Sequence, residues 1–157
     1  MLRIRPVSDL DVHRLWQWAN EPSTRASSFR PEPISWDDHL AWFGRKSVDP
    51  GCRMYILEAD GLPAGQVRFE INSAGQAEVA ISIAVECRSR GYGAKALRLG
   101  AARVFADTGT TELVAYIKPD NVASIRAFEN AGFVAEGRSH VGGHDAIRMT
   151  RPRGVSP

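Results

Sequence analysis

Hydrophobic and polar residues follow distinct periods along the first third of the chain. Residues 2–5 alternate apolar and charged side chains, as a half-buried strand does, and Pro6 ends that stretch. Apolar positions near helical spacing predict a helix over residues 8–20 and a second helix over residues 35–46. Residues 21–34 contain three prolines and little periodicity, which favours a long surface loop between the two helices.

The middle of the chain has the patterns of strands. The Asp60-Gly61 pair separates the apolar runs 53–59 and 63–71, which is a strong signal for a β-hairpin. The run Val79–Val85 is rich in β-branched residues and predicts a buried strand. A basic turn with two glycines, residues 88–93, follows that strand and leads into a helix with one apolar face.

The last third of the chain predicts three further strands and one short helix. Glu112–Lys118 has the composition of a strand, and Val122–Asn130 is a helix that Asp120 or Asn121 can cap. Gly132 ends this helix. Two final strands are predicted, 133–137 and 146–150, on either side of a Gly-Gly turn.

The predicted element order is β-α-α-β-β-β-α-β-α-β-β. An antiparallel meander therefore precedes a β-α-β crossover, which favours a mixed sheet with helices on both faces. A chain of 157 residues is long enough for one such core and short for two. We assign residues 1–151 to one α/β domain and expect residues 152–157 to be a frayed tail.

Composition and charge exclude several classes of protein. A net charge of only +2 does not suggest a nucleic-acid-binding surface. Cys52 and Cys87 have no CxxC spacing and are typical of reduced thiols in a cytoplasmic protein. The four histidines form no ligand cluster, so we predict no metal site. No apolar run is long enough to cross a membrane.

The turn at residues 88–93 has the chemistry of a phosphate site. A strand, a glycine turn and a helix start place several backbone N–H groups at the positive end of a helix dipole. Arg88 and Arg90 lie beside these amides, and guanidinium groups bind phosphate well. The turn therefore predicts a site for the pyrophosphate of a cofactor.

Three features follow one another in a fixed order. They are Glu78-x9-Arg88-x-x-Gly91-x-Gly93-Ala94, a predicted strand some twenty residues later, and Asn121-x-x-Ser124-x3-Phe128-Glu129-x-x-Gly132-Phe133. The whole pattern resembles the GNAT superfamily of acetyl-CoA-dependent N-acetyltransferases, whose pyrophosphate signature is Arg/Gln-x-x-Gly-x-Gly/Ala. The element order is similar along nearly the whole chain.

The resemblance implies a fold and a reaction. The fold is a single-domain, GNAT-like α/β fold with a mixed, mostly antiparallel sheet of six to seven strands and about four helices. Acetyl-CoA is the implied acetyl donor, and a primary amine attacks it directly in a ternary complex. Dimers are common in this family, so a homodimer is also expected.

The cofactor contacts are implied by the same resemblance. In the family, main-chain groups of the central strand pair with pantetheine like an extra strand, where this strand separates from the next. Amides of the glycine turn and the Arg88 side chain would hold the pyrophosphate, while Asn121 would bind pantetheine from the other side, helped by Ser124. The implied cofactor-binding residues are Ile83, Ala84, Val85, Arg88, Ser89, Arg90, Gly91, Tyr92, Gly93, Ala94, Asn121, Ser124 and Phe128.

Acyl transfer to an amine requires a neutral amine, a polarised thioester and a protonated leaving thiolate. Glu78 is the favoured base, directly or through water, with His39 and Glu70 as rivals. Backbone N–H groups near Ile83 and Ala84 are the expected oxyanion donors.

The proton donor has three alternatives in the sequence. In many relatives a tyrosine on the last helix protonates the thiolate, and the matching residue here is Phe128. Either Tyr116 or Ser82 takes this role, or the thiolate leaves largely unaided because its thiol is not very basic. The catalytic candidates are therefore Glu78, Ser82, Tyr116 and His39.

The tryptophan-rich first third corresponds to the region that carries acceptor specificity in the family. The stretch from Trp16 to Phe43 is similar to enzymes that acetylate nucleotide-activated aminosugars, such as those of the pseudaminic-acid pathway. Arg25, Arg30 or Arg68 would supply cations for the diphosphate, although such arginines are more often only solvated. A nucleotide-linked aminosugar is the predicted acceptor and small-molecule partner.

Two alternatives stay open. One is a protein N-terminal acetyltransferase of the ribosomal-protein type, which requires a peptide groove. The other is an acyl-CoA-binding sensor without turnover, which the loss of the tyrosine at Phe128 favours.

Overall fold

The computed structural model describes residues 1–154. Within this range seven strands form one sheet in the order β1-β2-β3-β4-β5-β7-β6. The strands are β1 Leu2–Pro6, β2 Cys52–Ala59, β3 Leu62–Ile71, β4 Gln76–Ile83, β5 Glu112–Ile117, β6 Val134–Val141 and β7 His144–Pro152. Only β4 and β5 pair in parallel, so the predicted mixed and mostly antiparallel sheet is confirmed.

Residues 1–154 also form five α-helices. They are α1 Val12–Ala19, α2 Pro22–Ser27, α3 Trp36–Lys46, α4 Tyr92–Asp107 and α5 Val122–Asn130. Side chains alternate between the faces of a strand, so each face of the sheet has its own core. One core includes Phe69, Val79 and Leu97 on the side of α4 and α5, and the other includes Leu15, Phe43 and Ile56 on the side of α1 and α3.

Gly100 lets α4 approach the sheet closely. A Cβ atom at this position would lie 2.8 Å from the ring of Phe69 on β3 and 3.0 Å from Val67. Because these two side chains are fully buried, neither can move aside easily. The close packing fixes α4, and with it the turn that precedes α4, relative to the central strands.

The predicted loop over residues 21–34 is wrong in its first half, because α2 forms there. Glu21 caps α2, and its carboxylate accepts a hydrogen bond from the Thr24 amide at 3.1 Å. Pro22 occupies the first helical position, where its fixed φ is favourable and no amide hydrogen is needed. The same Glu-Pro pair that ends α1 therefore starts the next helix.

The parallel strands β4 and β5 are paired over only part of their length. Three residue pairs join them, and the last pair is Glu78 with Val114. β4 continues to Ile83 and β5 to Ile117, but the described chain forms no further pairs between them. The sheet is therefore open between the C-terminal halves of these two strands.

Two predicted boundaries require correction. The central strand was predicted to reach Val85, but β4 ends at Ile83 and residues 85–87 form a turn of 3-10 helix. The expected frayed tail begins inside β7, and Arg153 is held by hydrogen bonds from its amide to Thr111 O at 2.9 Å and from its side chain to Thr110 O at 2.9 Å. The rest of that prediction, residues 155–157, lies outside the described residues.

Candidate active site

A cleft of about 280 Å³ lies beside the opening between β4 and β5. Two of the predicted catalytic residues, Glu78 and Tyr116, line it together with Glu70. All three point to the same side of the sheet, the side on which α1 and α3 pack, because their positions have the same parity in paired strands. The remaining lining residues are Asn72, Gln76 and Val114.

Glu78 occupies the last paired position of β4 before the opening. Its side chain is exposed, and within residues 1–154 it has neither an ion pair nor a hydrogen bond. Glu70, its direct cross-strand partner on β3, is bound by Lys46 at 2.8 Å. The Glu78 carboxylate is therefore available to accept a proton from a ligand, whereas Glu70 is already paired with a cation.

Tyr116 lies directly opposite Arg148 in the pairing of β5 with β7. A hydrogen bond to the Tyr116 hydroxyl is the main cause that raises the pKa of Arg148 above its ordinary value. Arg148 also donates to Glu136 at 2.9 Å. Arg148 therefore lies beside the hydroxyl of Tyr116, and Tyr116 itself lines the cleft.

Ser82 lies on the same side of β4, four residues beyond Glu78. Its hydroxyl oxygen is buried and has no hydrogen-bond partner in the described chain. Gln66 lies directly opposite on β3, and its buried side-chain carbonyl oxygen also has no hydrogen-bond partner in the described chain. Two neighbouring buried polar atoms without partners are unusual in a protein and mark this position as one where a ligand or water is expected.

His39 is not at the cleft, so its prediction as a catalytic base is corrected. The imidazole is only 4% exposed, and its Nε2 lies 2.8 Å from the Val12 carbonyl oxygen. Burial lowers the pKa of His39 below its ordinary value, partly offset by this hydrogen bond. The ring also packs with Trp36 and Trp42. Its role is to join α3 to α1.

The glycine turn has the geometry that its motif predicts. Ser89 and Gly91 have positive φ values of 62° and 76°, and Gly91 caps α4. The first amides of α4 have no acceptor within the helix, so the N–H groups of Tyr92, Gly93 and Ala94 are available to an anion. A Cβ at Gly93 would lie 3.3 Å from Ala127 of α5. The turn therefore needs a small residue where α4 and α5 meet.

The Arg88 side chain points away from these amides. Its Nε donates to the Ile83 carbonyl oxygen at 3.0 Å, and its Nη2 donates to Glu21 at 3.1 Å and to Thr24 at 3.2 Å. A further bond goes from Nη1 to the Ser23 hydroxyl. The side chain that the motif implies as a pyrophosphate ligand therefore binds the N-terminal end of α2.

The main-chain groups implied for pantetheine are only partly available. The Ala84 amide donates to Ala64 O at 2.8 Å and Ala84 is 1% exposed, so it is not an oxyanion donor. Because antiparallel pairing alternates, the main-chain groups of Ile81 and Ile83 then face the opening. Val85 lies beyond the end of β4 and cannot extend the strand.

The second motif forms the start of α5 at the other side of the opening. Asn121 caps this helix, and its Oδ1 accepts from the Ser124 amide at 3.2 Å. Within residues 1–154 the side-chain amide nitrogen of Asn121 and the hydroxyl of Ser124 form no hydrogen bond, so both are available to a ligand. Phe128 is different: it is 2% exposed and packs edge-on against Phe133 at 4.9 Å. This residue belongs to the core.

Residues 20–34 belong to the stretch in which the sequence predicts acceptor specificity, and they form a closed loop. Asn20 donates to Ile34 O at 2.9 Å and accepts from its amide at 2.7 Å, which closes the segment into a loop. Arg25 lies inside that loop and donates to Ala19 O at 2.6 Å and Arg30 O at 2.8 Å. Its guanidinium therefore holds the loop together and is not directed at a phosphate.

The tryptophans and Arg68 also pack internally. The Trp16 indole donates to Ile34 O at 2.8 Å, and Trp16 meets Trp36 edge-on at 5.4 Å. Arg68 lies over the Trp42 ring at 5.1 Å. Of the three arginines predicted for a diphosphate, Arg30 alone has an exposed side chain.

Arg148, Lys46 and Gln66 are the residues that the sequence did not reveal. Each lies beside a predicted residue only because of strand register or helix packing: Arg148 opposite Tyr116, and Gln66 opposite Ser82. Parity along predicted strands could have placed Glu70 and Glu78 on one face. No local sequence pattern predicts that β5 pairs with β7, so the position of Arg148 opposite Tyr116 was not predictable.

Known proteins share both the sequence features and the fold. The sequence profile of the acetyltransferase (GNAT) domain matches residues 1–134. A Bacillus subtilis (strain 168) protein, "Putative phosphinothricin acetyltransferase YwnH", is 32% identical over 113 residues, 68% of this chain and 67% of its own length.

Solved structures are similar over almost the whole chain. A spermidine N-acetyltransferase from Vibrio cholerae, in complex with CoA and spermine, has a TM-score of 0.85 at 22% identity and covers 97% of this chain and 95% of its own. The structure of a "putative phosphinothricin N-acetyltransferase" has a TM-score of 0.78 at 27% identity and covers 97% and 98% of the two chains. The chain therefore belongs to the GNAT acetyltransferase family, as its two motifs predict.

Proposed function

We propose that this enzyme transfers the acetyl group of acetyl-CoA to the primary amine of a compact, zwitterionic small molecule. The observation that carries the proposal is the unpaired Glu78 carboxylate at the point where β4 and β5 separate. A base is required there because an ammonium group has no lone pair with which to attack. The coenzyme A in the similar Vibrio cholerae structure supports the donor.

The residues fit an acyl-CoA on three observations. At the opening between β4 and β5 the Ile83 amide faces away from β3, while the Ile83 carbonyl is bound by Arg88. The Gly91–Gly93 turn presents amides at the start of α4, and Asn121 and Ser124 lie at the start of α5 on the other side. Acetyl-CoA supplies an acetyl group activated as a thioester.

The chain supplies the proton transfers. Glu78 takes a proton from the acceptor ammonium, directly or through water, so that the amine is neutral when it attacks. The Ile83 amide stabilises negative charge on the carbonyl oxygen. Tyr116, which lines the same cleft, donates its proton to the leaving sulfur as the C–S bond breaks. It regains a proton from the acetylated nitrogen, directly or through water.

The size and charge of the cleft favour a compact acceptor that carries one positive and one negative group. Its volume of about 280 Å³ lies near the lower end of small-molecule sites, which run from roughly 300 to 1,000 Å³. The carboxylates Glu70 and Glu78 line the cleft, and two cations contact its lining residues: Lys46 binds Glu70 at 2.8 Å, and Arg148 lies opposite Tyr116 in the sheet. Mixed charge suits an amino-acid-like amine better than a polycation. The resemblance to proteins named for phosphinothricin supports the same class.

The nucleotide-linked aminosugar receives less support. A diphosphate requires free cations, and the guanidinium of Arg25 is used to close its own loop. Arg68 is stacked on Trp42 and lies 3.9 Å from Glu70. The sensor alternative also loses its argument, because Phe128 is a core residue whatever the activity.

A panel of amines tests the proposal. Release of free CoA thiol from acetyl-CoA is measured with phosphinothricin, spermidine, kanamycin, a UDP-aminosugar and N-terminal peptides. We expect the highest kcat/KM with phosphinothricin or a related amino acid. A preference for the UDP-aminosugar or for peptides would overturn the acceptor class, and tight acetyl-CoA binding without turnover of any amine would favour a sensor.

A cytoplasmic homodimer is part of the same proposal. Cys52 and Cys87 are free thiols, which suits a reducing compartment. The helices of residues 1–154 include none that is long and apolar enough to cross a membrane. β6 is an edge strand whose residues 134–138 are exposed, and Val134 is 64% exposed. A second copy of β6 can pair with such an edge. Light scattering that gives a monomer mass at micromolar concentration would contradict the dimer.

A further inference from the structure

The Arg88 guanidinium uses nearly all of its hydrogen-bonding capacity within the protein. It has five N–H donors, and four bonds are formed to Ile83, Ser23, Glu21 and Thr24. Three of these four partners belong to the first turn of α2 and its cap. A side chain with this set of bonds has little left to offer a phosphate, although it is the first residue of the phosphate motif.

These bonds tie α2 to one side of the sheet opening. The partner of Arg88 Nε is the carbonyl of Ile83, the last residue of β4. At the other end of α2, Lys118 Nζ donates to Ala26 O at 3.0 Å, and Lys118 directly follows β5. The short helix α2 therefore bridges the opening between β4 and β5 and is held at both ends.

Glu21 supplies the negative charge that Arg88 binds. Its carboxylate accepts from the Ser23 hydroxyl, from the Thr24 amide and from Arg88, and the pKa of Glu21 is lowered to about 2, chiefly by the Ser23 hydroxyl. The group is therefore ionised throughout the physiological range. One carboxylate caps α2 and also anchors it to the cofactor strand.

We propose that Arg88 is a positioning residue that fixes α2 as the acceptor-side wall of the active site. The pyrophosphate is left to the backbone amides at the start of α4. The inference rests on the proposed function, because the wall matters only if an acceptor binds beside the opening. It predicts that Glu21 and Arg88 act as one unit, although only Arg88 belongs to the phosphate motif.

The test compares Arg88→Gln, Arg88→Lys, Glu21→Gln and the double variant Glu21→Gln/Arg88→Gln with the wild type. Steady-state kinetics give KM for phosphinothricin and for acetyl-CoA, and calorimetry gives the Kd of CoA. Deuterium exchange reports the amides of residues 22–27 without any ligand. Glu86→Gln is the matched control, because Glu86 is an exposed carboxylate in the same region with no ion pair or hydrogen bond among residues 1–154.

We expect each single variant at Arg88 or Glu21 to raise KM for phosphinothricin about tenfold, to leave the Kd of CoA within about twofold, and to speed exchange in α2. The double variant should have the same KM for phosphinothricin as Arg88→Gln, because the effects of two residues in direct contact do not add. Arg88→Lys keeps the positive charge but loses the planar guanidinium and its several N–H donors. It should therefore show the same rise in KM for phosphinothricin as Arg88→Gln.

Opposite results would overturn the inference. One is a tenfold or greater loss of CoA affinity in Arg88→Gln, with Glu21→Gln equal to the wild type, which would make the Arg88 side chain a phosphate ligand. Another is unchanged exchange in α2 in both variants. If the wild type acetylates no amine, the proposed function fails, whereas the exchange and CoA titration still decide the role of Arg88.

Discussion

Glu70 and Glu78 stand directly opposite each other on β3 and β4, and only Glu70 has a cation. Two like charges in this arrangement repel each other, and Lys46 at 2.8 Å from Glu70 offsets part of that repulsion. The pair is therefore asymmetric. One carboxylate is held by its cation, and the other is left exposed at the edge of the opening.

This asymmetry predicts that Glu70→Gln is a mild change. Its carboxylate is bound to Lys46 and is not required as a base, so kcat should fall by less than about threefold. Steady-state kinetics at saturating acetyl-CoA measure this change in kcat. A loss of about a hundredfold would transfer the role of base from Glu78 to Glu70.

Tyr116→Phe should lower kcat about tenfold without changing the Kd of CoA, because it removes a proton donor but no binding surface. Tyr55→Phe is the matched control, since Tyr55 is buried on the side of the sheet that faces α4. Equal rates for Tyr116→Phe and the wild type would mean that the thiolate leaves without help from this hydroxyl.

Gly93→Asp should weaken CoA binding at least about tenfold, because a carboxylate beside the α4 amides repels phosphate. Gly93→Ala adds only a Cβ, 3.3 Å from Ala127, and should cost less than about threefold. Calorimetric titration separates the two. If both variants bound CoA equally well, the pyrophosphate site would lie elsewhere.

Asp11→Asn should destabilise the fold by about 2 kcal/mol at pH 7, a value reduced because Arg5 and Arg14 are partly exposed. The hydrogen bond from Arg5 is the main cause that lowers the pKa of Asp11 below its ordinary value of 3.8. A lowered native pKa gives stability that is present above pH 3.8 and lost as the pH falls through the native pKa.

Urea unfolding as a function of pH measures this effect. The difference between wild type and Asp11→Asn should shrink steadily below pH 3.8. Asp9 lies with Asp11 in the 3-10 helix Asp9–Asp11 but is exposed, so Asp9→Asn is the control and should stay within about 0.5 kcal/mol at all pH values. A difference that is constant with pH would show that the Asp11 charge is not what stabilises the fold.

The strands and the two cofactor motifs were predictable because their signals are local. Alternation located β1, Asp60-Gly61 located the β2–β3 hairpin, and Asn121 is one of the two residues predicted to cap α5. Each depends on residues that are neighbours in sequence. The helix α2 was missed because a proline that ends one helix can also begin the next.

Roles that depend on tertiary packing were not predictable. His39 has the same local surroundings whether its ring faces a cleft or the Val12 carbonyl, and only the packing of α3 on α1 decides. Ala84 was expected to donate to the oxyanion, but the strand register directs its amide to the carbonyl oxygen of Ala64. Arg88 matched its motif in sequence, but the chain brings Glu21 to it from 67 positions away.

The rate of Glu78→Gln tests the central claim most directly. Steady-state kinetics with the preferred amine, together with a CoA titration, separate catalysis from binding. We predict that kcat falls about a hundredfold while the Kd of CoA is unchanged, because Glu78 takes the proton of the acceptor and does not contact the cofactor. A variant that retains the full kcat across the pH range would contradict the assignment of Glu78 as the base.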